Sequence, residues 1–157
     1  MLRAFFVVLM IIVSLFAQSN TTKKVWQNKL DPVYMLPIDK YPKFSAEATL
    51  KNGKTIKFCC VKSLFNFYFH PEKYPTFGVK NTKEIASIKV QDYLSGKIID
   101  AKDAFYVFGS RLMGPHGDDL IPLSSKTHID LFQQKYGGTK VIRFGRISYG
   151  LIHYLDM

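Results

Sequence analysis

Alternating hydrophobic and polar residues predict a β-hairpin in the first half of the chain. Every second residue from position 44 to position 50 is apolar, which is the period of a strand with one buried face. Asn52-Gly53 follows, a dipeptide that favours a two-residue hairpin turn. The return strand spans Thr55–Cys60 and again places its apolar side chains on one face.

The period then lengthens to that of a helix. Apolar residues at i, i+3, i+4 and i+7 between Val61 and Tyr68 predict an amphipathic helix. The helix should end before Pro71, because proline cannot continue it. Alternation resumes over Ala86–Val90 and predicts a third strand. Residues 44–93 are therefore predicted to form a strand–strand–helix–strand unit, the first ββαβ module.

The same order of elements recurs in the second half of the chain. Ser125 is a typical N-cap residue before a helical pattern, and Gly137-Gly138 ends that pattern. Strands are predicted at Ile98-Ile99, Phe105–Phe108, Asp119–Leu123 and Val141–Phe144. We therefore predict an α+β fold in which two small ββαβ modules, residues 44–93 and 94–147, pack together. The apolar tail, residues 148–157, is expected to pack on them or on a partner.

The N-terminal residues are typical of a secretory signal peptide. Arg3 precedes an apolar run over residues 5–17, and Ala17-Gln18-Ser19 supplies small residues for cleavage. We expect residues 1–19 to be cleaved and the protein to be exported, with an uncleaved N-terminal anchor as the alternative. Residues 20–43 form a polar, proline-rich lead-in to the first module.

The net charge narrows the range of partners. The full chain has a formal net charge of +10, and loss of Arg3 with the signal peptide leaves +9. Such a charge attracts nucleic acid, anionic membranes or acidic proteins. Export disfavours nucleic acid, and we expect membrane association only if the signal segment stays uncleaved.

Cys59 and Cys60 are adjacent, which is not the pattern of a disulfide-stapled exported domain, so the fold must depend on a packed core.

The loop over residues 113–118 carries the most distinctive chemistry. Met113 and His116 lie three residues apart among glycines and a proline, and Asp118 follows them. Thioether and imidazole groups are good ligands for soft metals such as copper. The same residues would otherwise form a surface turn beside a core methionine, and the loop sequence alone leaves both interpretations open.

Several phrases of the sequence together resemble one protein family. They are KYP at residues 40–42, an apolar FxxxKxLFxxY stretch at 58–68, VQDYLSGKIIDAKDAFYVFGS at 90–110, GPHGDDLIPLSS at 114–125 and KYGGTKVIRF at 135–144. Over residues 31–147 the chain is similar to the NosL family, periplasmic accessory proteins of nitrous oxide reductase that are linked to copper delivery. The resemblance implies two packed ββαβ modules, in agreement with the periodicity.

The resemblance also implies where metal ligands would lie. With the KYP phrase aligned, the family motif C-x-x-C-G-M has Asp31 and Tyr34 at its cysteines and Met35 at its glycine. The family's G-P-M-G has His116 in place of its methionine. Both thiolates are replaced, which moves the ligand set from sulfur toward oxygen and nitrogen. The candidate ligands for a copper ion, either Cu(I) or Cu(II), are Met113, His116, Asp118, Met35 and Asp31.

Two functions follow as expectations. The resemblance implies a periplasmic accessory protein that binds copper and delivers it to a copper enzyme such as nitrous oxide reductase, or assists the maturation of that enzyme. The partner would be the enzyme or its assembly proteins. The missing thiolates and the charge of the mature chain favour an alternative, a metal-free scaffold or interaction protein of the cell envelope. No Ser-His-Asp or Cys-His spacing stands out in the sequence, and we expect no enzymatic activity.

Overall fold

Two antiparallel β-sheets, each packed against an α-helix, make up the described part of the chain. The computed structural model describes residues 29–157, so the predicted signal peptide (1–19) and residues 20–28 lie outside the described residues. The strands are β1 (Ala46–Leu50), β2 (Thr55–Phe58), β3 (Ile85–Gln91), β4 (Ile98–Asp100), β5 (Phe105–Ser110), β6 (Ile121–Leu123) and β7 (Gly137–Arg143). The helices are α1 (Val61–Phe69), α2 (Lys126–Tyr136) and α3 (Tyr149–Leu155). Single 3-10 turns occupy Ile38–Lys40, Pro42–Phe44, Pro71–Lys73, Pro75–Phe77, Thr82–Glu84 and Phe144–Arg146.

The first sheet has the strand order β2-β1-β3-β4. Ala46 of β1 pairs with Phe58 of β2 on one side and with Val90 of β3 on the other, and all three side chains are buried. The alternation in the sequence therefore does mark the buried face. β4 pairs antiparallel with β3 and extends this sheet, although the predicted boundary at residue 94 assigns β4 to the second module. A tight turn with Gly96 in the left-handed region returns the chain alongside β3.

Helix α1 lies at the centre of the first half of the fold. It packs against β1, β2 and α3, and its Leu64 and Phe65 are fully buried. Cys60, expected at the end of a strand, instead caps the helix, because its Sγ accepts a hydrogen bond from the Ser63 N–H at 3.4 Å. The predicted tail forms α3 and buries Ile152. The tail therefore packs on the body of this chain.

The second sheet has the order β6-β5-β7, and α2 packs against β5 and β7. Ile129 and Phe132 of α2 share a buried cluster with Val107 of β5 and Ile121 of β6. The order β5-β6-α2-β7 is the second ββαβ module, so the predicted α+β fold of two packed modules is confirmed. Among residues 29–157, none of the helices has the length and hydrophobicity needed to cross a membrane.

Asp92 joins the two modules where β3 ends. It is buried, and its Oδ2 accepts the Ser124 N–H at 2.6 Å and lies 2.7 Å from His128 Nδ1 on α2. Its Oδ1 accepts the N–H groups of Leu94 and Ser95. Burial alone would raise the pKa of Asp92, but the hydrogen bonds from Ser124, Ser95 and His128 hold it well below its usual range. The carboxylate thus stays charged and fastens α2 to the first sheet.

Replacing Asp92 with alanine is expected to lower the free energy of unfolding by about 2–4 kcal/mol, because three backbone N–H groups and His128 lose their acceptor. Urea denaturation measures this change. Asp130, an exposed aspartate on α2, supplies the matched control: Asp130→Ala should change stability by less than about 0.5 kcal/mol. Equal losses in the two variants would contradict the role given to Asp92.

Candidate metal centre

A tight turn presents His116 at the surface. The chain leaves β5 at Ser110, and the Gly114 N–H then donates to the Gly117 carbonyl at 2.7 Å. Gly117 has a φ of 78°, in the left-handed region that favours glycine. Pro115 and His116 therefore form the tip of a closed turn, and half of the His116 side chain is exposed.

The turn forms one wall of a cleft, and the end of the chain forms the other. The cleft has a volume of about 460 Å³ and is lined by Met113, His116, Asp118, Tyr154, Asp156 and Met157, among others. The structure thus brings together three of the five predicted ligands. Met113 is 60% exposed and Met157 85% exposed, so the interpretation of Met113 as a core methionine is wrong. We call this depression the loop–tail cleft.

Asp31, another predicted ligand, is fully buried and already saturated with hydrogen bonds. Its Oδ1 accepts the N–H groups of Val33 and Tyr34 at 2.9 and 2.7 Å. Its Oδ2 accepts the Cys59 N–H at 2.8 Å, and the Ser63 hydroxyl reaches both oxygens. Asp31 therefore connects the chain before the first module to the start of α1.

Met35 lies in a second cleft, of about 320 Å³, together with Leu30, Tyr74 and Phe77, and Asp31 borders the same space. Met35 is 64% exposed and has a φ of 56°, an uncommon conformation for a residue other than glycine. The five predicted ligands are thus divided between two clefts.

An aromatic stack orients His116. Its ring lies 4.0 Å from the ring of Tyr34, centroid to centroid, with an angle of 9° between the planes. Its Nδ1 is 3.8 Å from Asp156 Oδ1, while its Nε2 makes no hydrogen bond to any residue from 29 to 157. Burial and a hydrogen bond to Asp156 raise the pKa of Tyr34 far above its usual value. The phenol stays protonated and holds the stack against the tail.

A buried lysine lies beneath this stack. Lys62 is 1% exposed, and its Nζ donates to the His116 carbonyl at 2.6 Å and to the Leu155 carbonyl at 2.8 Å. It also lies 3.0 Å from Asp156 Oδ1 and 5.6 Å from the centre of the Tyr34 ring. Burial alone would raise the pKa of Asp156, but hydrogen bonds from Tyr34, Lys62 and Asn66 hold it below its usual range. The result is a charged pair behind the loop–tail cleft.

Asp119 lies under the same turn. Its Oδ1 accepts the N–H groups of Lys62 and Leu120 at 2.9 and 2.7 Å, and its buried Oδ2 has no hydrogen-bond partner among the described residues. A Cβ at Gly114 would lie 2.8 Å from Oδ2. Burial raises the pKa of Asp119 to about 6, although the nearby Cys60 thiol and the two N–H groups act in the opposite direction.

Comparison with known proteins identifies the family. The NosL family model matches residues 23–152. The chain belongs to the NosL family. Its fold is similar to the crystal structure of the copper chaperone NosL from Shewanella denitrificans, at 24% identity and a TM-score of 0.66, over 79% of this chain and 92% of that one. The solution structure of apo-NosL from Achromobacter cycloclastes is also similar, at 24% identity and a TM-score of 0.48, over 68% and 87% of the two chains. Among curated proteins no significant match is found.

Family membership alone does not identify the metal ligands of this NosL protein, and its own residues must do so. Within residues 29–157, no three His, Cys, Asp or Glu side chains lie together as a metal site. The loop–tail cleft offers His116, two thioethers and flanking carboxylates instead. Both cysteines are buried, and burial raises the pKa of the Cys60 thiol well above its usual value.

Sequence reasoning missed the polar groups behind this NosL cleft. Lys62 carries the only charge in α1, whose sequence is VKSLFNFYF. A single charge in so apolar a helix is the signal from which its burial could have been predicted. Asp119 follows Asp118, and nothing in that pair shows which one turns inward. Asp156 belongs to a short tail whose position depends entirely on the fold.

Replacing Asp119 with asparagine is expected to change how stability depends on pH. Aspartate ionises near pH 3.9 in an unfolded chain, whereas in the folded protein the pKa of Asp119 is about 6. Because the folded state keeps this proton longer, the wild type should lose stability relative to Asp119→Asn as the pH rises from about 4 to about 6. The difference between the two pKa values corresponds to roughly 3 kcal/mol.

Urea denaturation of both proteins at about pH 4, 5, 6 and 7 measures the effect. Asparagine keeps an acceptor for the Lys62 and Leu120 N–H groups but cannot ionise. The free energy of unfolding of Asp119→Asn should therefore rise relative to that of the wild type as the pH increases across this range. A stability difference that stays constant with pH would show that Asp119 titrates normally.

Proposed function

We propose that this NosL-family protein binds one copper ion in the loop–tail cleft and delivers it to a copper enzyme outside the cytoplasm. The observation that carries the proposal is His116, whose ring is stacked on Tyr34 in a cleft that Met113 also lines, and whose Nε2 has no hydrogen-bond partner among residues 29–157. An oriented imidazole and an exposed thioether that line one cleft are suitable ligands for copper.

The oxidation state follows from which side chains complete the site. Met113 and Met157 offer thioether sulfur, which favours Cu(I). Asp118 and Asp156 offer carboxylate oxygen, which together with imidazole suits Cu(II). Asp156 is already paired with Lys62, so we propose Cu(I) as the preferred ion. An open cleft without thiolates would hold that ion less firmly than a thiolate site, as transfer to a partner requires.

The proposed location and partner rest on the sequence. Arg3 and the apolar run over residues 5–17 support export to the periplasm. The partner would be a periplasmic copper enzyme such as nitrous oxide reductase, or its assembly proteins, and the protein itself would perform no catalytic step.

Copper titration of the mature protein tests the proposal. We expect His116→Gln and Met113→Leu each to weaken Cu(I) binding at least about tenfold, measured by competition with a chromophoric Cu(I) chelator. His153 and Met35 are an exposed histidine and an exposed methionine outside the loop–tail cleft. His153→Gln and Met35→Leu are therefore matched controls that should leave the affinity unchanged.

The second candidate function is the metal-free scaffold. The observation that favours it is the engagement of Asp31 and Tyr34 in internal hydrogen bonds, at the positions where the family alignment places cysteines. If wild type and a His116→Gln, Met113→Leu double variant bind copper equally weakly, the copper proposal fails and the scaffold function is preferred.

A further inference from the structure

Three oxygen atoms surround the buried ammonium of Lys62. The carbonyls of His116 and Leu155 and one carboxylate oxygen of Asp156 lie 2.6, 2.8 and 3.0 Å from Nζ. An ammonium has three N–H donors, so this set satisfies all of them within hydrogen-bond distance. Two carbonyls and a carboxylate are also the kind of oxygen ligands that hold a bound hard cation.

The three acceptors come from both walls of the loop–tail cleft. His116 belongs to the turn between β5 and β6, whereas Leu155 and Asp156 end α3. The Leu155 carbonyl is one of the last carbonyls of that helix, which have no partner inside the helix and carry partial negative charge. The Lys62 ammonium therefore donates to a carbonyl at the C-terminus of α3, neutralises the Asp156 carboxylate and fixes the backbone of His116.

Two further contacts hold Lys62 in place. The face of the Tyr34 ring lies 5.6 Å from Nζ, which permits a cation–π contact. The backbone N–H of the same lysine is held by Asp119 Oδ1 at 2.9 Å. The lysine is thus anchored at its main chain and at its tip, and its aliphatic stem is buried between them.

We propose that Lys62 is a resident cation that holds the turn and the tail together, so that the loop–tail cleft is assembled before any metal binds. Lys62 is a positioning residue: it does not line the cleft, but it fixes the backbone that carries His116 and the segment that carries Met157. The importance of this role for copper binding rests on the proposed function. The contacts by which Lys62 joins the turn to the tail, which we call the Lys62 clamp, are a property of the metal-free protein.

Chemical rescue of Lys62→Ala tests the clamp without copper. The substitution removes three methylene groups and the ammonium, which is the shape of n-propylammonium. We expect a lowered thermal midpoint, and at least about tenfold faster hydrogen exchange at the amides of Leu155–Met157. Millimolar n-propylammonium should restore at least about half of both losses, whereas n-propanol, its uncharged analogue, should not. Lys57→Ala, at an exposed lysine of β2, should show neither the loss nor the rescue.

A second variant keeps the test decisive if Lys62→Ala does not fold. Lys62→Met retains most of the buried volume without the charge, so its tail amides should also exchange faster, with no rescue because the space is filled. Unchanged tail exchange in Lys62→Met, or equal rescue of Lys62→Ala by n-propanol, would overturn the proposal. Because all measurements use metal-free protein, weak copper binding by the wild type would refute the copper function and leave this result standing.

Discussion

Two buried carboxylates from distant parts of the chain meet at the first turn of α1, and the rest of the structure depends on them. Asp31 accepts the Cys59 N–H and the Ser63 hydroxyl, and Asp119 accepts the Lys62 N–H. The first N–H groups of a helix have no intrahelical acceptor, and the positive end of the helix dipole favours negative charge there. The segment before the first module and the turn before β6 are thereby fixed to one helix.

The same constraint explains why the candidate metal centre lies where it does. Asp119 sits directly beneath Gly114, so the turn that presents His116 rests on the group that also holds α1. Lys62 then reaches from the first turn of α1 to the tail. The cleft therefore rests on two buried groups, Lys62 and Asp119, even though most of its lining side chains are exposed.

Local pattern predicted most of the elements, although not helix α3 in the tail, and it did not predict their long-range partners. Alternation identified β1 and its buried face, and the i, i+3, i+4 spacing identified α1, because burial of one face imposes a period on the sequence. The pairing of β4 with β3 depends on a turn around Gly96, and element order alone does not reveal it. The burial of Asp31 was also beyond prediction, because an aspartate is ordinarily exposed and only the assembled fold supplies its partners. For Lys62 the apolar helix around it is the one signal in the sequence, and its partners again come only from the assembled fold.

All three methionines of residues 29–157 lie at the surface, with Met113 and Met157 in the loop–tail cleft and Met35 in the neighbouring one. The hydrophobic core therefore contains no thioether within this part of the chain, and its packing does not depend on one. Among residues 29–157, selective labelling of methionine methyl groups would consequently place spectroscopic reporters only at the two clefts. Oxidation of the same residues to sulfoxides would change the chemistry of the surface while leaving the core as it is.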